Sequence, residues 1–230
     1  MIQLQSTLNI GTKNGVKILV YARAGRGKTR LCSTCPNPVI LSAESGLLSL
    51  AKYNIPFIEI KTLQDLREAY NWAQQSVEAK HFETLCLDSI SEIGEVVLTA
   101  AKKANKDGRA AFGDMIEQMT TVIKEFRDLP RWNVYMSAKE ERVKNDATGV
   151  MFNGPGMPGQ KLGQAMPYFP DEVFQLDIAD ASQGGYRFLR TQPDFSNDAK
   201  DRSGMLDTIE EPHLGKIIAK INGAPQTTVA

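Results

Sequence analysis

Short apolar runs alternate with amphipathic stretches along much of the chain. Residues 16–21 (VKILVY), 39–42 (VILS), 57–60 (FIEI), 84–88 (TLCLD) and 133–138 (NVYMSA) have few polar interruptions. That is the pattern of strands buried on both faces. Between them, Leu63, Leu66, Ala69, Tyr70, Ala73 and Val77 fall at helical spacing. So do Ile90, Ile93, Val97, Ala100 and Ala104, and then Phe112, Met115, Ile116, Met119, Val122, Ile123 and Phe126. Each set draws one apolar stripe on a helix. Another helix begins near Lys28 and is stopped by Pro36 and Pro38. Strand and helix alternating at this spacing predict an α/β fold, with a mostly parallel sheet and helices on both faces.

After Lys139 the pattern breaks. Gly149, Gly154, Gly156, Gly159 and Gly163, with Pro155 and Pro158, predict a mobile Gly-rich loop over residues 140–162. Loops of that length tend to carry function. Two late strands, residues 173–178 and 186–190, are joined by a turn at Gly184 and Gly185. The expected organisation is a single domain over 1–230. An N-terminal extension covers 1–15 and a C-terminal segment covers 191–230.

Composition adds limits. Hydrophobic residues make up 42% of the chain, enough for a core and against wholesale disorder. There is no apolar run of membrane-spanning length and no secretory signal at the start, so a cytoplasmic protein with no membrane partner is expected. Three cysteines (Cys32, Cys35, Cys86) suit a reducing compartment. Cys32 and Cys35 form a C-x-x-C without a second pair, which leaves structural zinc short of ligands. Trp72 and Trp132 read as packing groups. Net charge is zero, but residues 1–43 hold Lys13, Lys17, Arg23, Arg26, Lys28 and Arg30 and no acid. A basic stretch there suits a bound phosphate chain.

The most restrictive signal is Ala22-Arg23-Ala24-Gly25-Arg26-Gly27-Lys28-Thr29. It follows a predicted strand and opens a predicted helix, which is the setting of a phosphate-binding P-loop. Ala22 stands where that motif usually has its first glycine. Gly25 and Gly27 let amides turn toward the phosphates of ATP. Lys28 would reach the terminal oxygens, and Thr29 would ligate Mg²⁺. Ala24, Arg26 and Arg30 complete the expected binding segment. Asp88 ends an apolar strand, where an acid holds the magnesium or its water shell; it could also cap the next helix. Glu44 follows the 39–42 strand, where a carboxylate can orient an attacking water; it too could be a helix cap.

A P-loop, a Glu just past the next strand and then a strand ending Asp-Ser together resemble the RecA/RadA recombinase core. The resemblance spans about residues 16–190. It implies that Lys139, at the end of YMSAK, senses the γ-phosphate beside Glu44 and Lys28; bacterial RecA proteins carry Gln there. It implies DNA-binding loops at Lys102, Lys103, Lys106 and Arg109, and at Lys144, Met151, Phe152 and Lys161. The first cluster reads equally as a solvated helix end. Lys200 and Arg202 lie where the family places cations that act on a neighbour's nucleotide; the alternative is a solvated turn. The short length looks most like the phage-encoded RecA-core single-strand annealing proteins, often labelled phage AAA-domain ATP-binding proteins. The chain departs from RecA in having no Phe-x-x-Ala tether near its start. These similarities imply an ATPase in a bacterial host's cytoplasm, assembling as a ring or filament. Its implied partners are single-stranded DNA and a single-stranded-DNA-binding protein. The same core also suits a helicase-like motor or a regulatory switch without DNA. A small-molecule kinase fits less well.

Overall fold

The computed structural model describes residues 10–44, 46–144 and 149–223. In chain order its elements are α1 (Ile10–Asn14), β1 (Lys17–Ala22), α2 (Lys28–Leu31), β2 (Pro38–Ser42), β3 (Phe57–Glu59), α3 (Leu63–Gln75), β4 (Thr84–Asp88), α4 (Ile90–Ala104) and α5 (Gly108–Asp128). Then come β5 (Asn133–Lys144), β6 (Met151–Gly156), α6 (Gln160–Ala165), β7 (Glu172–Ile178), β8 (Arg187–Arg190), β9 (Lys200–Asp201), β10 (Ile209–Glu210) and α7 (Leu214–Ile221). The strands form one sheet in the order β10-β8-β7-β1-β5-β4-β2-β3, with β6 on β5 and β9 on β7. The central strands β7, β1, β5, β4, β2 and β3 are all parallel. The fold is therefore the α/β class that the alternating pattern predicts. Among the described residues no helix is long and apolar enough to cross a membrane.

The central strands are buried on both faces, which is why they read as unbroken apolar runs. On one face Leu19, Leu41, Leu85, Leu87 and Met136 pack with Leu66, Ile93, Val97, Met119 and Ile123. On the other, Ile18, Val20, Ile40, Tyr135 and Phe174 pack with Leu31, Leu214 and Ile217. The helices cover these faces with most of the stripes that their spacing predicts, but Ala104 of α4 and Phe112 of α5 are exposed. The α3 stripe stops short of Val77, which is largely exposed beyond the helix end at Gln75. A Thr62–Asp65 capping box starts α3, satisfying free amides at both positions.

The loop expected over 140–162 is corrected. β5 continues to Lys144 and pairs antiparallel with β6, from Lys139↔Gly156 to Lys144↔Met151. α6 follows directly. Only residues 145–148 of that span lie outside the described residues. Two of its glycines, Gly156 and Gly163, serve close packing. A β-carbon on Gly156 would lie 2.6 Å from Glu141 Cγ, and one on Gly163 would lie 3.1 Å from the Pro155 carbonyl oxygen.

The register sets up a site at one edge of the sheet. Ala22, the last residue of β1, lies beside Lys139, and Ser42, the last of β2, lies beside Asp88. The carboxyl ends of β1, β2, β4 and β5 thus bring the P-loop, Glu44, Asp88 and Lys139 to one place, where open α/β sheets bind ligands.

Candidate functional site

The loop after β1 turns through Gly25 (φ +77°) and Gly27 (φ +107°). Nothing would crowd a β-carbon at Gly25, so the backbone angle and not space favours glycine there. The turn delivers the chain into α2, which continues through a 3-10 turn at Cys32–Thr34. The Tyr135 hydroxyl donates to the Lys28 carbonyl at 2.8 Å and ties α2 to β5. Lys28 Nζ folds back and donates to the carbonyls of Ala22 (2.9 Å) and Arg23 (3.3 Å). Burial lowers its pKa, while Glu44 and Asp88 hold it up. These neighbours preserve a cation at the mouth of the turn.

Asp88 is buried at the end of β4. Burial raises its pKa, and hydrogen bonds from Ser137 and Thr29 oppose the rise. Ser137, the next residue but one before Lys139, donates to Asp88 Oδ1. Glu44 accepts from the Ser89 hydroxyl at 2.6 Å, and its carbonyl accepts from Ser42 Oγ at 2.6 Å. Ser89 also caps α4 by accepting from the Glu92 amide. The helix cap is thus Ser89, and neither Asp88 nor Glu44 is spent on it. The Asp88–Ser89 peptide is cis.

A cavity of about 1140 Å³ opens above these groups. Ala24, Gly25, Arg26, Gly27, Lys28, Thr29 and Arg30 all line it, as do Glu44 and Lys139. The residues fit a nucleotide triphosphate. Two positive-φ glycines lead into a helix start bearing a lysine, which is a nest for phosphate oxygens. They also fit Mg²⁺, because the Thr29 hydroxyl and the Asp88 carboxylate are adjacent hard oxygen donors.

Other expected residues have different work. Lys139 is ion-paired with Glu92. Lys17 belongs to the basic N-terminal stretch but sits at the opposite edge of the sheet, buried and donating to the carbonyls of Asn14, Leu129 and Trp132. Lys102, Lys103, Lys106 and Arg109 are exposed where α4 meets α5, with Lys102 Nζ 5.6 Å from the Phe112 ring centroid. Lys144, Met151 and Phe152 lie on the β5–β6 hairpin and Lys161 on α6. Phe152 is half-buried opposite Val143.

Lys200 and Arg202, expected to act on a neighbour's nucleotide, are held within the chain. Both lie beside the start of β7, at the edge of the sheet away from the P-loop. Lys200 Nζ donates to the Pro167 and Pro170 carbonyls at 2.6 Å each, and Arg202 pairs with Asp171 at 2.9 Å. Their charges are committed inside the chain. Next to them Glu172 is buried, and burial followed by the neighbouring Asp201 carboxylate pushes its pKa up to about 8.

Sequence reasoning gave no role to Ser137, Ser89, Tyr135 or Ser91, because each acts through a partner far away in the chain. The Ser91 hydroxyl donates to the Gly156 carbonyl (2.7 Å) and accepts from the Lys139 amide (2.9 Å). Three buried thiols also lie under α2: Cys32, Cys35 and Cys86, the last two with sulfurs 4.0 Å apart. Burial pushes the Cys32 thiol up to about 11.

The sequence profile of the family described as AAA domain matches residues 14–203. The chain belongs to the AAA domain family. That span takes in the whole nucleotide edge, and this AAA domain is a P-loop ATPase. Its fold is similar to a KaiC-like protein from the hyperthermophilic archaeon Pyrococcus horikoshii OT3, at 14% identity and a TM-score of 0.45, covering 76% of this chain and 77% of that one. It is also similar to an ATPase from the type III secretion system of pathogenic bacteria, at 12% identity and a TM-score of 0.51. That match covers 85% of this chain but only 62% of the secretion ATPase. No curated protein matches the chain.

Proposed function

We propose that this AAA domain is an ATP-dependent, single-stranded-DNA-binding recombination protein that pairs or anneals strands. The observation that carries the reading is a set of hydrogen bonds joining the nucleotide edge to the expected DNA-binding elements. Tyr21, one residue before the P-loop, donates to the Asn153 carbonyl of the β5–β6 hairpin at 3.0 Å. Ser91 in the first turn of α4 bonds both strands of the same hairpin. α4 ends in Lys102 and Lys103, and the hairpin carries Lys144 and Met151. In this reading a change at the P-loop would reach both basic elements through these buried and part-buried contacts.

In this reading Lys28 and the P-loop amides bind the phosphate chain. Thr29 and Asp88 would hold Mg²⁺, which supplies charge neutralisation. Glu44, oriented by Ser89, positions the attacking water and accepts its proton. The basic elements track DNA phosphates, and Met151 meets bases. As the phage annealing proteins do, the chain would act as a homo-oligomer alongside a single-stranded-DNA-binding protein.

One observation favours a second reading, a motor or regulatory ATPase without DNA. Phe152 is half-buried, and the hairpin carries Glu140 and Glu141 beside its cations. Fluorescence anisotropy with labelled single- and double-stranded oligonucleotides, with and without ATP and magnesium, separates the two. ATP-dependent binding of single strands is expected. Absence of binding under every condition would move the assignment to the second reading.

A further inference from the structure

β7 is the parallel neighbour of β1, so its carboxyl end rises beside the P-loop, and β8 returns from there. Two charged residues stand at that end, Asp177 on β7 and Arg187 at the start of β8. Asp177 Oδ1 takes Arg26 Nε at 3.3 Å. Arg187 Nε donates to the Arg26 carbonyl at 2.9 Å. The Arg187 side chain passes close enough to Gly27 that a β-carbon there would lie 3.6 Å from Nε. It is exposed, and it lines the same cavity as Lys28 and Thr29.

Anchoring the loop occupies only one of the five N–H groups of a guanidinium. The terminal nitrogens of Arg187 have no hydrogen-bond partner among the described residues. The carboxylate at hand, Asp177, is engaged by Arg26 instead. A guanidinium fixed through Nε, with its planar fork unpaired at the rim of a phosphate nest, is arranged for bidentate contact with phosphate oxygens. We propose that Arg187 is a nucleotide-binding residue that adds a second cation, from the same subunit, to the phosphate chain of the bound nucleotide.

The proposal rests on a nucleotide seated against the P-loop, so the test carries a control for that. ADP and ATP affinities are measured by fluorescent-nucleotide titration for wild type, Arg187→Ala, Arg187→Gln and Arg187→Lys. Glutamine places its amide nitrogen as many bonds from the backbone as Nε, so it keeps the anchor to Arg26 and loses the charged fork. Both Ala and Gln should weaken binding by about tenfold or more, with Lys in between. Hydrogen exchange of the amides at positions 26–29 in the nucleotide-free Gln variant should stay at the wild-type rate. Affinity within about twofold of wild type in the Gln variant overturns the proposal, because the anchor alone would then suffice. So does a loss that comes with faster exchange of those amides, since that marks a role in loop order only. Lys28→Ala runs in parallel. If it also binds normally, the P-loop reading falls too; if it loses nucleotide while the Arg187 variants do not, only the proposal falls.

Discussion

Glu44 lines the cavity and Asp88 is buried behind its Thr29 wall, and their surroundings fit them for different tasks. Asp88 is buried under Ser137 and Thr29, where a carboxylate would be held rigidly beside a metal. Glu44 is half-buried and oriented by one hydroxyl, and its other oxygen has no hydrogen-bond partner among the described residues. Glu44→Gln should therefore slow phosphate release by on the order of a hundredfold or more while nucleotide affinity stays near wild type. Hydrolysis near the wild-type rate would make Glu44 a loop-holding residue only. Glu172 gives a test at another place. Its folded pKa near 8 lies above the ordinary 4.5, so folding retains a proton that the unfolded chain gives up. The stability linked to that proton is fully present below the ordinary value and is lost as pH rises through about 8. Asp171, Asp201 and Lys200 set the local field, and Glu172→Gln removes the titration while keeping the shape. Melting curves from pH 6 to 9 should fall more steeply for wild type than for the variant, by up to about 1.4 kcal/mol per pH unit for one proton. Parallel curves would mean that Glu172 is already ionised. Lys28, Thr29 and Asp88 were legible in the sequence because a motif or a strand end marks them. Ser137 and Arg187 were not, because their partners lie 49 and 161 residues away in the chain.

At the scale of elements, the buried parallel strands were the most legible feature, since burial on both faces leaves an unbroken apolar run. The β5–β6 hairpin was the least legible. Glycine and proline usually punctuate loops, and here they permit tight packing against Glu141 and α4. A β-carbon on Gly94 of α4 would lie 2.8 Å from the Pro158 ring. Ser91 is the hinge pin of this contact. Ser91→Ala would leave the Gly156 carbonyl and the Lys139 amide without their partner. That should cost about 1–3 kcal/mol of stability, read by urea unfolding. It should also weaken any stimulation of ATP hydrolysis by DNA more than it changes basal hydrolysis. Equal loss of both would make Ser91 a packing residue alone.

At the scale of the whole molecule, Lys102, Lys103, Lys106, Arg109 and Lys144 do not line the cavity, so these charges can be altered separately from catalysis. Reversing charge at Lys106 and Arg109 should weaken single-stranded DNA binding and reduce the log–log salt slope by about 0.7 per lost phosphate contact, with ADP affinity unchanged. An unaltered salt slope would assign the cluster to a solvated helix end. The fold's α/β class could be read from the chain at this scale, but the way the hairpin is fastened over β1 could not, because it depends on Tyr21 reaching Asn153 across the sheet. The three thiols beneath α2 give the protein a built-in clock. A reagent such as a dithiobis-nitrobenzoate can reach them only when the nucleotide-binding half transiently opens, so the rate of colour development counts openings per unit time. Saturating ADP should lengthen that time in proportion to its concentration over its dissociation constant. In Lys28→Ala protein the clock should run at one speed with or without nucleotide.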